Sequence, residues 1–141
     1  MTTAEKVSAF RLGLFRLARL LRRQRLDLPI SHTEFNIMAL LGRRQRVLPS
    51  EIATEEKISA QAISQNLNAL ENQGLIIRTT DPADRRRALI SLSEQGRELL
   101  DQIKHDRDAW LLAAMHERLD AAERDQLLAV WPLLQKLTTN E

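Results

Sequence analysis

Asp84 is followed by Arg85, Arg86 and Arg87, so three guanidinium groups stand behind one carboxylate, close to Asp81 and Pro82. A guanidinium is a planar fork of donors that pairs bidentately with phosphate or with an acceptor edge, and it keeps its charge when partly buried. Upstream, Gln61, Ser64, Gln65, Asn68 and Asn72 recur at helical steps, and at 100° per residue they share one side of a helix. A helix face of amides and hydroxyls with almost no charge is unusual for a merely solvated surface. Gln and Asn can pair bidentately with adenine, and Ser bonds to base edges of either kind. Cations beside such a face suit a polyanion that displays hydrogen-bonding edges, and a narrow DNA minor groove attracts Arg by its focused negative potential. The plainer alternatives are an arginine turn that only aids solubility, Asp84 as an ordinary turn residue, and amides that are simple polar surface.

Holding these groups in place takes a helix and a hairpin, and the neighbouring sequence supplies both. Ser59 is placed as N-cap and Gly74 as terminator of a helix whose Ile63, Leu67 and Leu70 form an apolar stripe opposite the amides. Residues 75–80 and 88–92 have strand composition, with 81–87 as the loop between them. Before them, Pro49 suits the first position of a short helix that buries Ile52 and Ala53 and ends in a turn around Glu56-Lys57-Ile58. Ser31 and Glu34 have the spacing of a capping box, opening a helix through Phe35, Ile37, Met38 and Leu41 towards Gly42. Residues 31–92 therefore read as a winged helix-turn-helix lobe.

The flanks read as long amphipathic helices. Val7, Phe10, Leu14, Leu17 and Leu21 form a stripe along residues 4–26, ended by Asp27-Leu28-Pro29. A long helix runs from Ser93-Glu94 to about Leu119, carrying Leu99, Ile103, Trp110 and Ala114 on one side. Asp120 and Glu123 repeat the capping-box spacing at the start of a last helix with Leu127, Leu128, Trp131 and Leu134, which Pro132 either kinks or interrupts. Trp110 and Trp131 read as core or interface anchors rather than pocket walls. Residues 1–30 and 93–141 are too apolar to stand alone, so they are expected to be dimerisation helices buried against a second copy. A dimer of this kind reads two half-sites about 10 bp apart. The fold class is mainly α with a small β-hairpin wing, in a single domain spanning 1–141.

Composition narrows the function further. The net charge is only +2, from 21 basic and 19 acidic residues, so bulk charge does not single out nucleic acid. The distribution says more: 17 of the basic residues are Arg, clustered at Arg22-Arg23-Arg25, Arg43-Arg44-Arg46 and Arg85-Arg86-Arg87. The middle cluster either touches backbone phosphates or lies in a solvated loop. Without cysteine there is no disulfide, thiolate zinc site or thiol redox sensor. The longest apolar run, 110–115, is too short to span a membrane, and the start lacks a signal-peptide pattern, so a cytoplasmic, nucleoid-associated protein with no membrane partner is expected. His32, His105 and His116 show no metal-ligand spacing. No Gly-rich phosphate loop, nucleophile elbow or carboxylate pair points to an enzyme, and no cofactor is expected.

Three segments, spread over nearly the whole chain, resemble the MarR/SlyA family of bacterial transcriptional regulators. Leu48-Pro49-Ser50-Glu51-Ile52-Ala53 is similar to the opening of the family's third helix. Ser59 through Gly74-Leu75-Ile76-Ile77-Arg78 is similar to its recognition helix and first wing strand. Asp81-Pro82-Ala83-Asp84-Arg85-Arg86 with Leu92-Ser93-Glu94-Gln95-Gly96 is similar to its wing signature. The resemblance implies a homodimer on double-stranded DNA, with a recognition helix in each of two major grooves and the wings along the minor groove. It puts Ser59, Gln61, Ala62, Ser64 and Gln65 at DNA-facing positions and Arg86 at the wing tip, oriented by Asp84. Arg78 and Asp81 then form the polar pair at the wing base, and Arg85 and Arg87 flank the tip. It also implies a repressor with a pseudo-palindromic operator, released by a small aromatic or lipophilic effector. Two departures stand out: the lack of cysteine excludes the family's thiol-based peroxide sensing, and Arg87 adds a third consecutive arginine where a small residue is common, which leaves open which of the three arginines reaches the groove. The competing function is a winged-helix protein-interaction module without DNA affinity, for which a neutral or acidic wing is expected.

Overall fold

The computed structural model describes residues 1–24 and 30–139. The chain divides into two compact units, one of Arg25–His105 and one of Met1–Gln24 together with Asp106–Glu141. In chain order the elements are α1 (Thr3–Arg22), α2 (His32–Arg43), α3 (Pro49–Glu56), α4 (Ala60–Asn72), β1 (Ile76–Thr80), β2 (Ala88–Leu92), α5 (Glu94–Arg118), α6 (Ala121–Leu128) and α7 (Trp131–Thr138). Among the described residues no helix is long and apolar enough to cross a membrane.

The Arg25–His105 unit is a helix-turn-helix with a hairpin. The predicted capping box opens α2: Ser31 Oγ accepts from the Glu34 N–H at 3.1 Å, and Glu34 Oε2 accepts in return from the Ser31 N–H. Its Ile37, Met38, Leu40 and Leu41 are fully buried, as are Ile52 of α3 and the predicted stripe Ile63, Leu67 and Leu70 of α4. The turn between α3 and α4 places Lys57 in the left-handed region at φ 55°, and Gly74 takes φ 73° after α4, where the absence of a Cβ removes the steric cost. β1 and β2 pair antiparallel with Arg78 opposite Ile90. Val47 adds a bridge that sequence reasoning missed: it donates to the Ile90 carbonyl at 3.0 Å and accepts from the Ile90 N–H at 2.8 Å. This ties the chain ahead of α3 to the inner strand of the hairpin.

The unit extends past the expected limit of residue 92 because the first half of α5 belongs to its core. Leu100 and Ile103 are buried, Leu100 within the α2–α4 cluster. Gly96 permits this close approach, since a Cβ there would stand 2.0 Å from the Leu75 carbonyl oxygen. The Ser93 N–H donates to the same oxygen at 3.0 Å.

The other unit contains α1, the second half of α5, α6 and α7. An unpredicted capping box starts α1: Glu5 Oε2 accepts from the Thr2 N–H at 2.6 Å, and Thr2 Oγ1 accepts from the Glu5 N–H at 3.2 Å. The helix ends at Arg22, short of the expected Leu26, where Gln24 Nε2 donates to the Leu20 carbonyl at 2.8 Å and satisfies one of the free carbonyls of the last turn. Arg25, Leu26 and the predicted terminator Asp27-Leu28-Pro29 lie outside the described residues. Pro132 interrupts rather than kinks: helix ends at Leu128 and restarts at Trp131. Proline has no N–H to donate to the Leu128 carbonyl, and its ring would crowd that group in a continuous helix. The apolar stripe of α1 exists but contains no buried residue; Phe10 is 53% and Trp131 59% exposed, with Val7, Leu128 and Leu137 also open.

Candidate nucleic-acid interface

Helix α4 exposes the face that its sequence marks out. With the Ile63, Leu67 and Leu70 stripe packed inward, Gln61, Ser64, Gln65, Asn68 and Asn72 are all exposed. Ser59 caps the helix, its Oγ accepting from the Ala62 N–H at 3.1 Å, so its hydroxyl hydrogen stays available to a further acceptor. Ala62 is half-buried, and its carbonyl accepts from Asn66 Nδ2 at 2.7 Å. Gln61, Ser64 and Gln65 make no side-chain hydrogen bond among the described residues, so their donors and acceptors are open to an incoming ligand.

The hairpin loop is built by its two aspartates. Asp81 Oδ1 accepts from the Ala83 N–H at 2.9 Å, a local turn that Asp favours. The backbone closes the loop with the Asp81 N–H on the Arg87 carbonyl at 2.9 Å and the Arg87 N–H on the Asp84 carbonyl at 3.0 Å. Asp84 Oδ1 accepts from the backbone N–H of Arg86 at 3.0 Å and from its Nε at 3.1 Å, while Oδ2 accepts from Nη2 at 3.3 Å. These bonds to Arg86 hold the Asp84 carboxyl below the usual carboxylate range, and the nearby Arg87 charge acts in the same direction.

Of the three arginines, Arg86 is therefore the one held in a set direction. Its side chain is 90% exposed, and its Nη1 makes no bond among the described residues. Arg85 and Arg87 are exposed on either side, and among the described residues no carboxylate orients them in this way. Arg78, Thr79 and Thr80 of β1 line one concave surface with the three loop arginines and Ala88.

Arg78 occupies a different place from the one the resemblance implies. Alternation along β1 puts it on the same side as buried Ile76, and its guanidinium reaches α4 rather than Asp81. Its Nε donates to Glu71 Oε2 at 2.9 Å and its Nη2 to Asn68 Oδ1 at 2.8 Å. Sequence reasoning placed Asn68 on the amide face but did not see this tie. The available signal was Glu71, three residues after Asn68 on the same helix and ahead of a lone strand arginine. Arg44, just past the end of α2, pairs with Glu55 of α3 at 3.3 Å, so that member of the middle arginine cluster is engaged within the protein.

Residues 26–87 match the model described as the MarR family. The HTH-type transcriptional regulator MT0903.1 of Mycobacterium tuberculosis is 28% identical over 95% of this chain and 93% of its own length. The crystal structure of a Pseudomonas aeruginosa protein described as a transcriptional regulator is 32% identical, with a TM-score of 0.85 and coverage of 98% of this chain and 96% of that one. A mutant of Staphylococcus aureus MepR, bound to an oligodeoxyribonucleotide, has the same fold at a TM-score of 0.72 and 22% identity, with each chain covered in full (100%).

Proposed function

The chain belongs to the MarR family of HTH-type transcriptional regulators, and we propose that it is a homodimeric repressor that binds a pseudo-palindromic DNA operator through α4 and the wing. The observation that carries the reading is the Asp84–Arg86 pair: an exposed guanidinium is pre-aimed at the tip of a hairpin beside an uncharged face of amides. A protein-interaction module has no need of three adjacent cations at that tip. The MepR structure with bound oligodeoxyribonucleotide supports DNA as the partner of this fold. In each half-site Gln61, Ser64 and Gln65 read base edges from the major groove, Ser59 and Ala62 sit against the backbone at the helix start, and Arg86 enters the minor groove between Arg85 and Arg87.

The exposed apolar side chains of α1, α6 and α7 support the homodimer, since a second copy would remove them from water. Release by a small aromatic or lipophilic effector belongs to the same reading, and adding candidate ligands to the preformed DNA complex tests it. The direct test of DNA binding is a gel shift with genomic fragments at two salt concentrations. Affinity is expected to fall on the order of a hundredfold or more between about 50 and 200 mM salt, because bound phosphates release their counterions. Binding that ignores salt, or no binding at all, would contradict the proposal.

A further inference from the structure

Asn68 lies on the exposed amide face of α4 with Gln61, Ser64 and Gln65, but it alone among these four is tied to the wing. Its Oδ1 accepts from Arg78 Nη2 at 2.8 Å, and Nε of the same guanidinium donates to Glu71 Oε2 at 2.9 Å. A guanidinium has only donors, so the bond decides which end of the amide is oxygen. Turning the amide over would set Nδ2–H against a cation and forfeit the bond. The Nδ2 donors make no bond among the described residues.

We propose that Arg78 is a positioning residue rather than a DNA contact, and that by fixing the Asn68 amide it makes Asn68 a donor-only reader of base edges. The inference rests on the DNA-binding function proposed above. A free Asn recognises adenine by donating to N7 while accepting from N6. Here the accepting atom is already committed to a positive charge, which also opposes a further N–H donor nearby. What remains is donation, and the base edges that offer only acceptors in the major groove are guanine, through N7 and O6, and thymine, through O4. Asn68 therefore selects guanine or thymine over adenine at its base pair. Glu71 acts one step further back, keeping the guanidinium in its plane.

The test is selection of DNA sequences by the full-length parent and three variants, with circular dichroism and melting to verify folding. Asn68→Ala locates the position, since the guanine or thymine preference should vanish at one base pair per half-site and persist elsewhere. Asn68→Asp keeps an acceptor for Arg78 but has no donor, so the same position should move towards cytosine, whose N4 donates. Arg78→Met frees Oδ1, and the preference there should shift towards adenine by about tenfold or more. A purely structural role for Arg78 would instead weaken binding evenly at all positions, leaving preferences intact, and that result would overturn the inference. Unchanged preferences in both Asn68 variants would overturn it even if Arg78→Met failed to fold. Failure of the parent to enrich any sequence is a separate outcome, which would remove the DNA-binding function and this inference with it.

Discussion

The two compact units use apolar residues in opposite ways. The Arg25–His105 unit buries most of its large apolar side chains, from Ile37 on α2 to Ile90 on β2 and Leu100 on α5, with no polar or charged residue fully buried among the described residues. The unit of Met1–Gln24 and Asp106–Glu141 buries Met115, while Phe10, Leu128, Trp131 and Leu137 stay open to solvent. The first unit satisfies its own chain, whereas the second has apolar faces that its own chain leaves uncovered. Stability of one should therefore be independent of concentration, and stability of the other should depend on a second copy.

The largest expected effect breaks the pairing of copies. Phe10→Asp combined with Leu14→Asp removes two large side chains worth about 1.5–3 kcal/mol each when buried. Sedimentation should show monomers at concentrations where the parent is dimeric, with hydrogen exchange in α2–α4 unchanged. A dimer surviving both substitutions would mean that α1 is not part of the contact.

A pair of truncations sharpens the contrast. Leu70→Ala, in a fully buried position, should destabilise by about 2–5 kcal/mol at any protein concentration. Leu128 is 63% exposed, so Leu128→Ala should cost within about 0.5 kcal/mol in dilute protein. Its cost should rise when concentration drives pairing. Denaturant melts at two concentrations would separate the two behaviours, and equal concentration dependence for both would erase the distinction between the units.

Within the self-sufficient unit, Arg86→Ala should leave melting unchanged and weaken DNA binding by about tenfold or more, the scale of a lost charge-assisted hydrogen bond. Arg85→Ala and Arg87→Ala should weaken it less, because neither guanidinium is held by a carboxylate among the described residues. Equal losses at all three positions would reduce the wing to a diffuse positive patch.

The smallest effect is one of pH. Asp84 is depressed by its bonds to Arg86, so the pair is complete above the unfolded carboxylate value of about 3.9 and is lost only as pH falls through the lower folded value. DNA affinity measured from about pH 8 down to about pH 5.5 should show no step attributable to Asp84. A step in that range that disappears in Asp84→Asn would contradict the assigned pairing.

Much of this was readable from periodicity and caps. The Ile63, Leu67 and Leu70 stripe located the exposed face of α4, because one buried side of a helix determines the other. Ser31 with Glu34, and Ser59 alone, marked helix starts through bonds that are local in sequence. Part of what escaped was non-local. The Val47–Ile90 bridge and the reach of Arg78 to Asn68 and Glu71 depend on how the hairpin folds back, which no local spacing encodes. The end of α1 at Arg22 also escaped: the Gln24 side chain donates to the Leu20 carbonyl there, a local contact that leaves no periodic trace. Pro132 was recognised as a disruption, but its outcome depended on whether Trp131 could begin a new helix.

The central claim is that two copies of the amide-faced helix and its arginine wing are presented together to one DNA duplex. The most direct measurement is selection of genomic fragments by the full-length chain at low salt, with the stoichiometry of the bound complex determined by mass. The account predicts enrichment of an inverted repeat with half-sites about 10 bp apart, bound by two chains per duplex. Enrichment of an unrepeated motif bound by one chain, or no enrichment at all, would contradict it.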